Sequence, residues 1–488
     1  MPNVAYTRSE VIKNFPKWEQ TRDCLEGELA IKAAGVKYLP EPQLSGEDKK
    51  ERYKSYKKRA VFYNVTGRTA QGLVGQVFSK DPTIELPPGT EFFEGDVDGA
   101  GNTLEQQSKG LVSDILSTGR AGLLADFPTL APGQVATKAD IEAGRIRPRI
   151  IPYTAEQIIN WRESNVGGET LLTLLVLSEN AVVMDDGFEF GTEPRWRVMR
   201  LENPEDRAIS FVQAESWRKK DRPENKDDIY EIAEGPFTIL DHRGQPLKKI
   251  PFTFVGSTNN DADVDEAPLY DISTLNLAHY RNSADVEESS FLVGQPTLVL
   301  AGLTQDWVDK NMAGGIAFGS RSAIMLNAGA DASLLQSESN NLPKELMLQK
   351  EDQMKALGAK LIEPKKVQST ATEAAIAETS EASVLSSLAK NVSQAYEKAL
   401  AFAGNFLGEY DPEKFIYELN TDFSIAKMNA QERQQLIAEW QSELITWSEA
   451  REGLRKAGVA YEKDEDARRL IDSEAAARGG FKEDPQGV

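Results

Sequence analysis

The feature that most restricts the fold is a long helical pattern, "PLYDISTLNLAHYRNSADVEESSFLVG" from Pro268, followed by a second, "LPKELMLQKEDQMKALG" from Leu342. Leu269, Ile272, Leu275 and Tyr280 recur at helical spacing and predict an apolar stripe along the first half of the first helix. Its second half is polar and acidic, with Asp285, Glu287 and Glu288, so half of this helix does not belong to an ordinary core. Pro343 suits the first turn of the second helix, where its missing N–H costs nothing. Between the two lie a strand pattern "QPTLVLAGL", a short helix "TQDWVDKNM" and the glycine-rich "AGGIAFGSRSAIMLNAGADASLL". The pattern predicts a hairpin of helices with a small α+β module at its tip.

Around this hairpin the chain changes character several times. Residues 1–80 read as mostly helical, broken by the loop "YLPEPQLSGED". "TLEQQSKGLVSDILSTG" predicts a helix with apolar Leu104, Leu111, Ile115 and Leu116, and "RAGLLADFP" a buried strand. Residues 146–255 carry short β-type runs, among them "TLLTLLVLSENAVVM", "RWRVMRL" and "DIYEIAEGPFTIL", separated by turn signals. After the hairpin, a basic connection "AKLIEPKKVQS" leads to "TEAAIAETSEASVLSSLAKNVSQAYEKALAFAGNFL", a helix with a capping box at Thr370 and Glu373 and an Ala/Ser-rich face. "KFIYELNTDFSI" reads as strand, residues 429–475 as two or three helices, and "RGGFKEDPQGV" as a disordered tail. The fold class expected is α+β.

Several function classes are argued against by the residues themselves. Gly67 and Gly72 in "NVTGRTAQGLVGQVFSKDP" have the spacing of a phosphate-binding loop, but Leu73 and Val74 stand where Lys and Ser or Thr must hold phosphate and magnesium. The preceding "YKSYKKRAVFY" reads as a helix continuing into this stretch, with Phe62, Val65, Thr69, Leu73 and Val77 on one face, so the glycines are expected to permit close helix approach. One cysteine, Cys24, and two histidines, His242 and His279, cannot build a His/Cys zinc cluster or an intrachain disulfide. "DADVDE", Asp261 to Glu266, imitates the opening of a calcium loop, yet Glu266 and Ile272 occupy the positions that need Gly and Glu. It reads as a solvated acidic loop. His279 has no histidine or cysteine nearby in sequence, and no G-x-S-x-G elbow is present. No catalytic residue, metal site or cofactor is therefore expected.

The net charge of −21 argues against indiscriminate nucleic-acid binding, which needs a basic face. No run approaches a membrane span, and "MPNVAYTRSEV" lacks the apolar core of a signal peptide. Lys360, Lys365 and Lys366 stand out in one short connection, either as a solvated loop or as a loop touching phosphates.

"YKSYKKRAVFYNVTGRTAQGLVGQVFSKDP", "LSTGRAGLLADFP", "RPRIIPYTAEQIINWR", "IPFTFVGSTNN" followed by "LYDISTLNLAHYRNSADVEES", and "TEAAIAETSEAS" together resemble the portal proteins of tailed bacteriophages. The branch is one often catalogued as a domain of unknown function. The resemblance runs from about residue 15 to about residue 470 and rests on the order of many weak blocks.

It implies a ring, usually of twelve subunits, around a channel for double-stranded DNA at one vertex of a virion assembled in the host cytoplasm. On this chain it implies a wing at 1–264, stem helices at 265–293 and 343–359, and a clip at 294–342. A tunnel loop at 360–371, a wing helix and strand at 372–428 and a helical crown with its tail at 429–488 complete the plan. Asp285, Glu287 and Glu288 would then line the channel and repel phosphates, while Lys360, Lys365 and Lys366 would meet DNA in the tunnel loop. Trp307, Asp309, Lys310 and Arg321 of the clip would dock the terminase large subunit and later a head-completion or adaptor protein. Major capsid and scaffolding proteins are further implied partners, and no membrane is. The alternatives are a nucleotide-driven motor, which lacks its phosphate loop here, and a head-tail adaptor or other capsid component without a tunnel loop.

Overall fold

The computed structural model describes residues 3–42, 49–127, 146–206, 208–220, 229–294, 297–311, 326, 328–335, 341–362, 383–408, 411–423, 430–442, 444–456, 460 and 464–479. It is mixed α+β and divides into two units, Met1–Thr421 and Asp422–Val488.

In the first unit, helices α1 (Ser9–Glu26), α2 (Glu28–Ala34), α3 (Lys49–Arg59), α4 (Val65–Val77), α5 (Phe92–Gly95) and α6 (Leu104–Thr118) precede most of the strands. A central sheet joins β2 (Arg120–Asp126) to β3 (Arg149–Thr154) on one side and β9 (Phe252–Gly256) on the other, all antiparallel. A five-stranded antiparallel meander follows in chain order: β4 (Ile158–Val166), β5 (Glu169–Asp185), β6 (Phe190–Glu202), β7 (Phe211–Lys219) and β8 (Tyr230–Thr238). Short β1 (Thr83–Glu85) pairs with β12 (Ile416–Glu418).

One core lies between the two sheets and α1. Val11 and Trp18 of α1 pack with Leu124, Trp161, Leu175, Met199, Phe252 and Phe254. β2 runs through the middle, which is why "RAGLLAD" lacks polar alternation and is buried for six of its residues. Arg22 ties α1 to two further elements through Asp114 at 2.9 Å and Glu156 at 2.5 Å.

The start of β2 is built around a buried charge. Arg120 is 1% exposed; its guanidinium lies over Trp161 at 3.9 Å and Phe254 at 4.6 Å, and Nη1 donates to the Ala262 carbonyl at 2.7 Å. Burial first, and then Arg8, pull its pKa down to about 9, against the opposing pull of Asp261, Asp265 and Asp263. The stretch 261–266 is thus counter-charge to a buried guanidinium rather than an acidic loop serving solvent alone. Asp265 also accepts from the Thr258 N–H at 2.7 Å. Among the described residues no group of His, Cys, Asp or Glu is arranged to hold a metal ion.

A single helix through "YKSYKKRAVFY" into the glycine pair is not what forms. α3 ends at Arg59, residues 60–64 run without helix, and Asn64 caps α4 by accepting from the Gly67 N–H at 2.7 Å. Phe62 is buried outside the helix. Nor do both glycines serve close packing: a Cβ on Gly72 would meet nothing within 4 Å, and one on Gly67 would strike its own cap, Asn64, at 2.7 Å.

Beyond the sheets come α7 (Tyr270–Val293), β10 (Thr297–Ala301), α8 (Gln305–Asn311), β11 (Asp331–Leu335) and α9 (Leu342–Lys360). Helix α10 (Val384–Asn405) then lies across β2 and β9, burying Leu388, Ala389, Val392, Tyr396 and Leu400. Its Asn391 donates to the Gly256 carbonyl at 2.9 Å and accepts at its own carbonyl from Asn260, also at 2.9 Å. The capping box expected at Thr370 and Glu373 lies outside the described residues, and the described helix is capped by Ser383. The tail from 480 onward also lies outside them.

The second unit contains α11 (Ala430–Gln441), α12 (Trp447–Lys456) and α13 (Asp464–Gly479). Asp464 gathers α12 to α13 by accepting from Ser448 at 2.6 Å and pairing with Arg455 at 3.2 Å.

Candidate functional site

The site is the hairpin of α7 and α9, its tip and the connection that follows. α7 is the better rooted of the two helices. Leu277, Tyr280 and Ala284 enter a core with Cys24, Ile31, Tyr38, Tyr56 and Phe62. Burying side chains the size of Leu277 and Tyr280 contributes about 2 kcal/mol each.

The apolar stripe expected on α7 is only part of its buried face. Leu269, Ile272 and Tyr280 are buried as predicted, but Leu275 is half-buried and Leu277 takes its place. Ser273, Asn276, His279 and Ser283 are buried as well, forming a polar stripe at helical spacing. Asn276 and Ser283 hold the segment 60–66, which runs without helix to Asn64 and then opens α4. Asn276 Oδ1 accepts from the N–H groups of Val65 and Thr66 at 3.0 Å each and from the Thr66 hydroxyl at 2.9 Å, while Nδ2 donates to the Tyr63 carbonyl at 2.8 Å. Ser283 accepts from the Val61 N–H at 3.0 Å. Nearer the start of the helix, Gln20 of α1 donates to Ser273 at 3.0 Å and to Thr274 at 2.9 Å.

The two helices of the hairpin are coupled by His279, whose Nε2 lies 3.3 Å from Glu351 Oε1. Its ring is buried beside Tyr63, with centroids 6.1 Å apart. Of the described α9 side chains only Met354 is buried. Leu342, Leu346 and Leu348 are exposed, the first by 58%. The tip shows the same lack of cover: β10 and β11 form a two-stranded antiparallel sheet, and no described side chain of β10, α8 or β11 is buried. Two strands and a short helix cannot supply a core of their own.

Two of the expected channel carboxylates are turned toward α3. Asp285 accepts from the Tyr56 hydroxyl at 2.7 Å, and burial followed by this bond pushes the Tyr56 pKa up. Glu288 pairs with Arg59 and lies 3.9 Å from Arg52. Glu287 is exposed. Lys360, exposed, is the last residue of α9, while Lys365 and Lys366 lie outside the described residues. At the tip, Trp307 is half-buried in α8, Asp309 accepts from Gln305 at 2.9 Å, and Lys310 pairs with Asp306 at 2.8 Å. Arg321 lies outside the described residues. Those of the expected residues that are described do not form one cluster, and the polar stripe that roots the hairpin was the signal overlooked: Ser, Asn and His at helical spacing among apolar neighbours.

Residues 268–407, which span the hairpin, its tip, the connection and α10, match a family model described as Domain of unknown function (DUF4055). No curated protein matches the chain. Among solved structures, a chain from "Virion of native gene transfer agent (GTA) particle" is 14% identical with a TM-score of 0.39, covering 88% of this chain and 98% of its own. A chain from "Neck of empty GTA particle computed with C6 symmetry" is 13% identical with a TM-score of 0.37, covering 89% and 99%. At scores this low, neither likeness carries weight for fold or function. No described helix is long and apolar enough to cross a membrane.

Proposed function

We propose that this chain is the subunit of a portal-like ring in a tailed-phage particle, a conduit through which double-stranded DNA is packaged and ejected, with no catalytic site of its own. The observation that carries this reading is the hairpin. α7 is anchored by a buried polar stripe, whereas of the described side chains of α9 and the tip strands and helix only Met354 is buried. Such elements gain stability from neighbours, and a ring of copies supplies them.

In that ring the tip would receive the terminase motor and then a head-completion protein, and the connection carrying Lys360, Lys365 and Lys366 would meet the DNA backbone. Glu287 would face the channel. Asp285 and Glu288, committed to α3, would instead hold the hairpin at its angle to the wing. The lack of a motor function is supported by the glycine pair lying inside α4, capped at Asn64, with Leu73 buried where a phosphate loop would present lysine.

Two measurements on the full-length chain test this. Native mass spectrometry is expected to give one closed multiple of the subunit mass, with twelve the value that the resemblance favours. The same preparation is expected to hydrolyse neither ATP nor GTP, with or without DNA. A monomer at every concentration, or DNA-stimulated turnover abolished by Gly72→Asp, would contradict the reading.

A further inference from the structure

The meander carries an arm that the portal reading does not use. Pairing of β4 with β5 ends at Leu177, and pairing of β7 with β6 stops at Arg195. From Asn180, opposite Pro194, outward to the turn, β5 and β6 pair only with each other. The arm extends roughly 20 Å beyond the sheet, taking about 3.3 Å per residue. Every residue from Val182 to Phe190 is exposed, including Val182 at 60%, Met184 at 59%, Phe188 at 97% and Phe190 at 68%. A two-stranded ribbon is marginal in water by itself, and so dense an apolar tip is a mark of an interaction site. The tip is acidic as well, with Asp185, Asp186 and Glu189 among the apolar side chains.

The same chain carries a surface of opposite charge and matching apolar character. In α3, "KKERYKSYKKR", seven of eleven residues are Lys or Arg and one is acidic, a strong local excess in a chain of net charge −21. α2 lies beside it, with Lys32 Nζ donating to the Lys58 carbonyl at 3.2 Å. Leu29 is 86% exposed on α2, and Val61 and Tyr63 are 50% and 58% exposed just past the end of α3. We infer that the arm of one copy docks on the α2–α3 face of the next, Phe188 and Phe190 against Leu29, Val61 and Tyr63, with the tip carboxylates facing the α3 lysines. The contact joins different patches on the two copies, the head-to-tail type that closes into rings when the rotation allows. This inference rests on the assembly proposed above and names the surfaces that build it.

The experiment is a charge exchange in the full-length protein, read by mass photometry. Asp185→Lys with Asp186→Lys is expected to raise the concentration needed for half-assembly about tenfold or more, because like charges then face each other. Adding Lys54→Glu and Lys58→Glu to that variant should restore assembly to within about twofold of the wild type. Circular dichroism checks that each variant keeps its fold, which the solvent-exposed sites favour.

In a second arm of the test, Phe188→Cys with Leu29→Cys, oxidised mildly, is expected to give a ladder of covalent multimers on a non-reducing gel. A wild-type ring that survives the arm reversal and yields no ladder overturns the docking while leaving the assembly reading intact. A wild-type chain that remains a monomer overturns the assembly reading itself. Reversal of the α3 lysines that alters DNA retention without touching assembly reassigns that face to nucleic acid and also overturns the docking.

Discussion

Replacing Gly119 with alanine is expected to cost about 3–5 kcal/mol, a large part of the stability of an ordinary domain. Gly119 ends α6 in the left-handed region at φ 76°, its N–H bonds the Ile115 carbonyl at 2.7 Å, and its own carbonyl accepts from Ser257 at 3.1 Å. A Cβ there would sit 2.5 Å from the Glu266 carbonyl oxygen and 2.6 Å from that of Asp265, backbone atoms that cannot swing aside. The strain of the left-handed backbone adds to the overlap. Both effects fall on the loop that supplies counter-charge to Arg120 and leads into the hairpin. Thermal or urea unfolding followed by circular dichroism measures the loss. The matched control is Gly72→Ala, in open space within α4, expected to stabilise by about 0.5–1 kcal/mol. If the two variants unfold alike, the packing described around Gly119 is wrong.

The second large effect is expected at the root of the hairpin. Asn276→Leu keeps side-chain bulk but orphans the N–H and hydroxyl of Thr66, and leaves the Val65 N–H and the Tyr63 carbonyl only their mutual bond at 2.8 Å. At about 1–3 kcal/mol for each buried group left unpaired, and with partial rescue by water, a net loss of about 2–4 kcal/mol is expected. The damage should be local first. Hydrogen exchange of the Thr66 amide should accelerate well before that of β2, since Asn276 Oδ1 is its partner. Unchanged exchange at the Thr66 amide would show that Asn276 does not anchor the hairpin.

What the sequence disclosed and what it hid divide along the range of the interactions. The helices of the hairpin, the buried strand at "RAGLLAD" and the β runs of 146–255 all follow from patterns within a dozen residues, and the corresponding elements form. The break between α3 and α4 does not follow from such a pattern, because its partners, Asn276 and Ser283, lie more than 200 residues further along. For the same reason the stripe of Ser273, Asn276, His279 and Ser283 does not read from the sequence as a packing face.

Arg120 was equally invisible. An arginine opening a strand gives no sign that it will be sealed between Trp161 and Phe254, so its acidic neighbours 261–266 resembled a loop made for solvent or calcium. Asp285 and Glu288 were legible as an acidic half-helix but not as partners of Tyr56 and Arg59, since charge pattern alone does not say which side of a helix meets protein. The arm is legible as strand only on its β5 side, in "TLLTLLVLSENAVVM"; β6 opens at Phe190, ahead of the run "RWRVMRL". The arm's projection beyond the sheet depends on where β4 and β7 stop pairing, which no local pattern records.

The central claim, that copies of this chain form a DNA conduit around the α7–α9 hairpin, is tested most directly by electron cryomicroscopy of the assembled full-length protein. The expected map is a closed ring with an open axial channel, α7 and α9 facing the axis with Glu287 toward the lumen, and the β10–β11 tip at one end. A closed ring whose hairpins point away from the axis, or an assembly with no continuous channel, would contradict it.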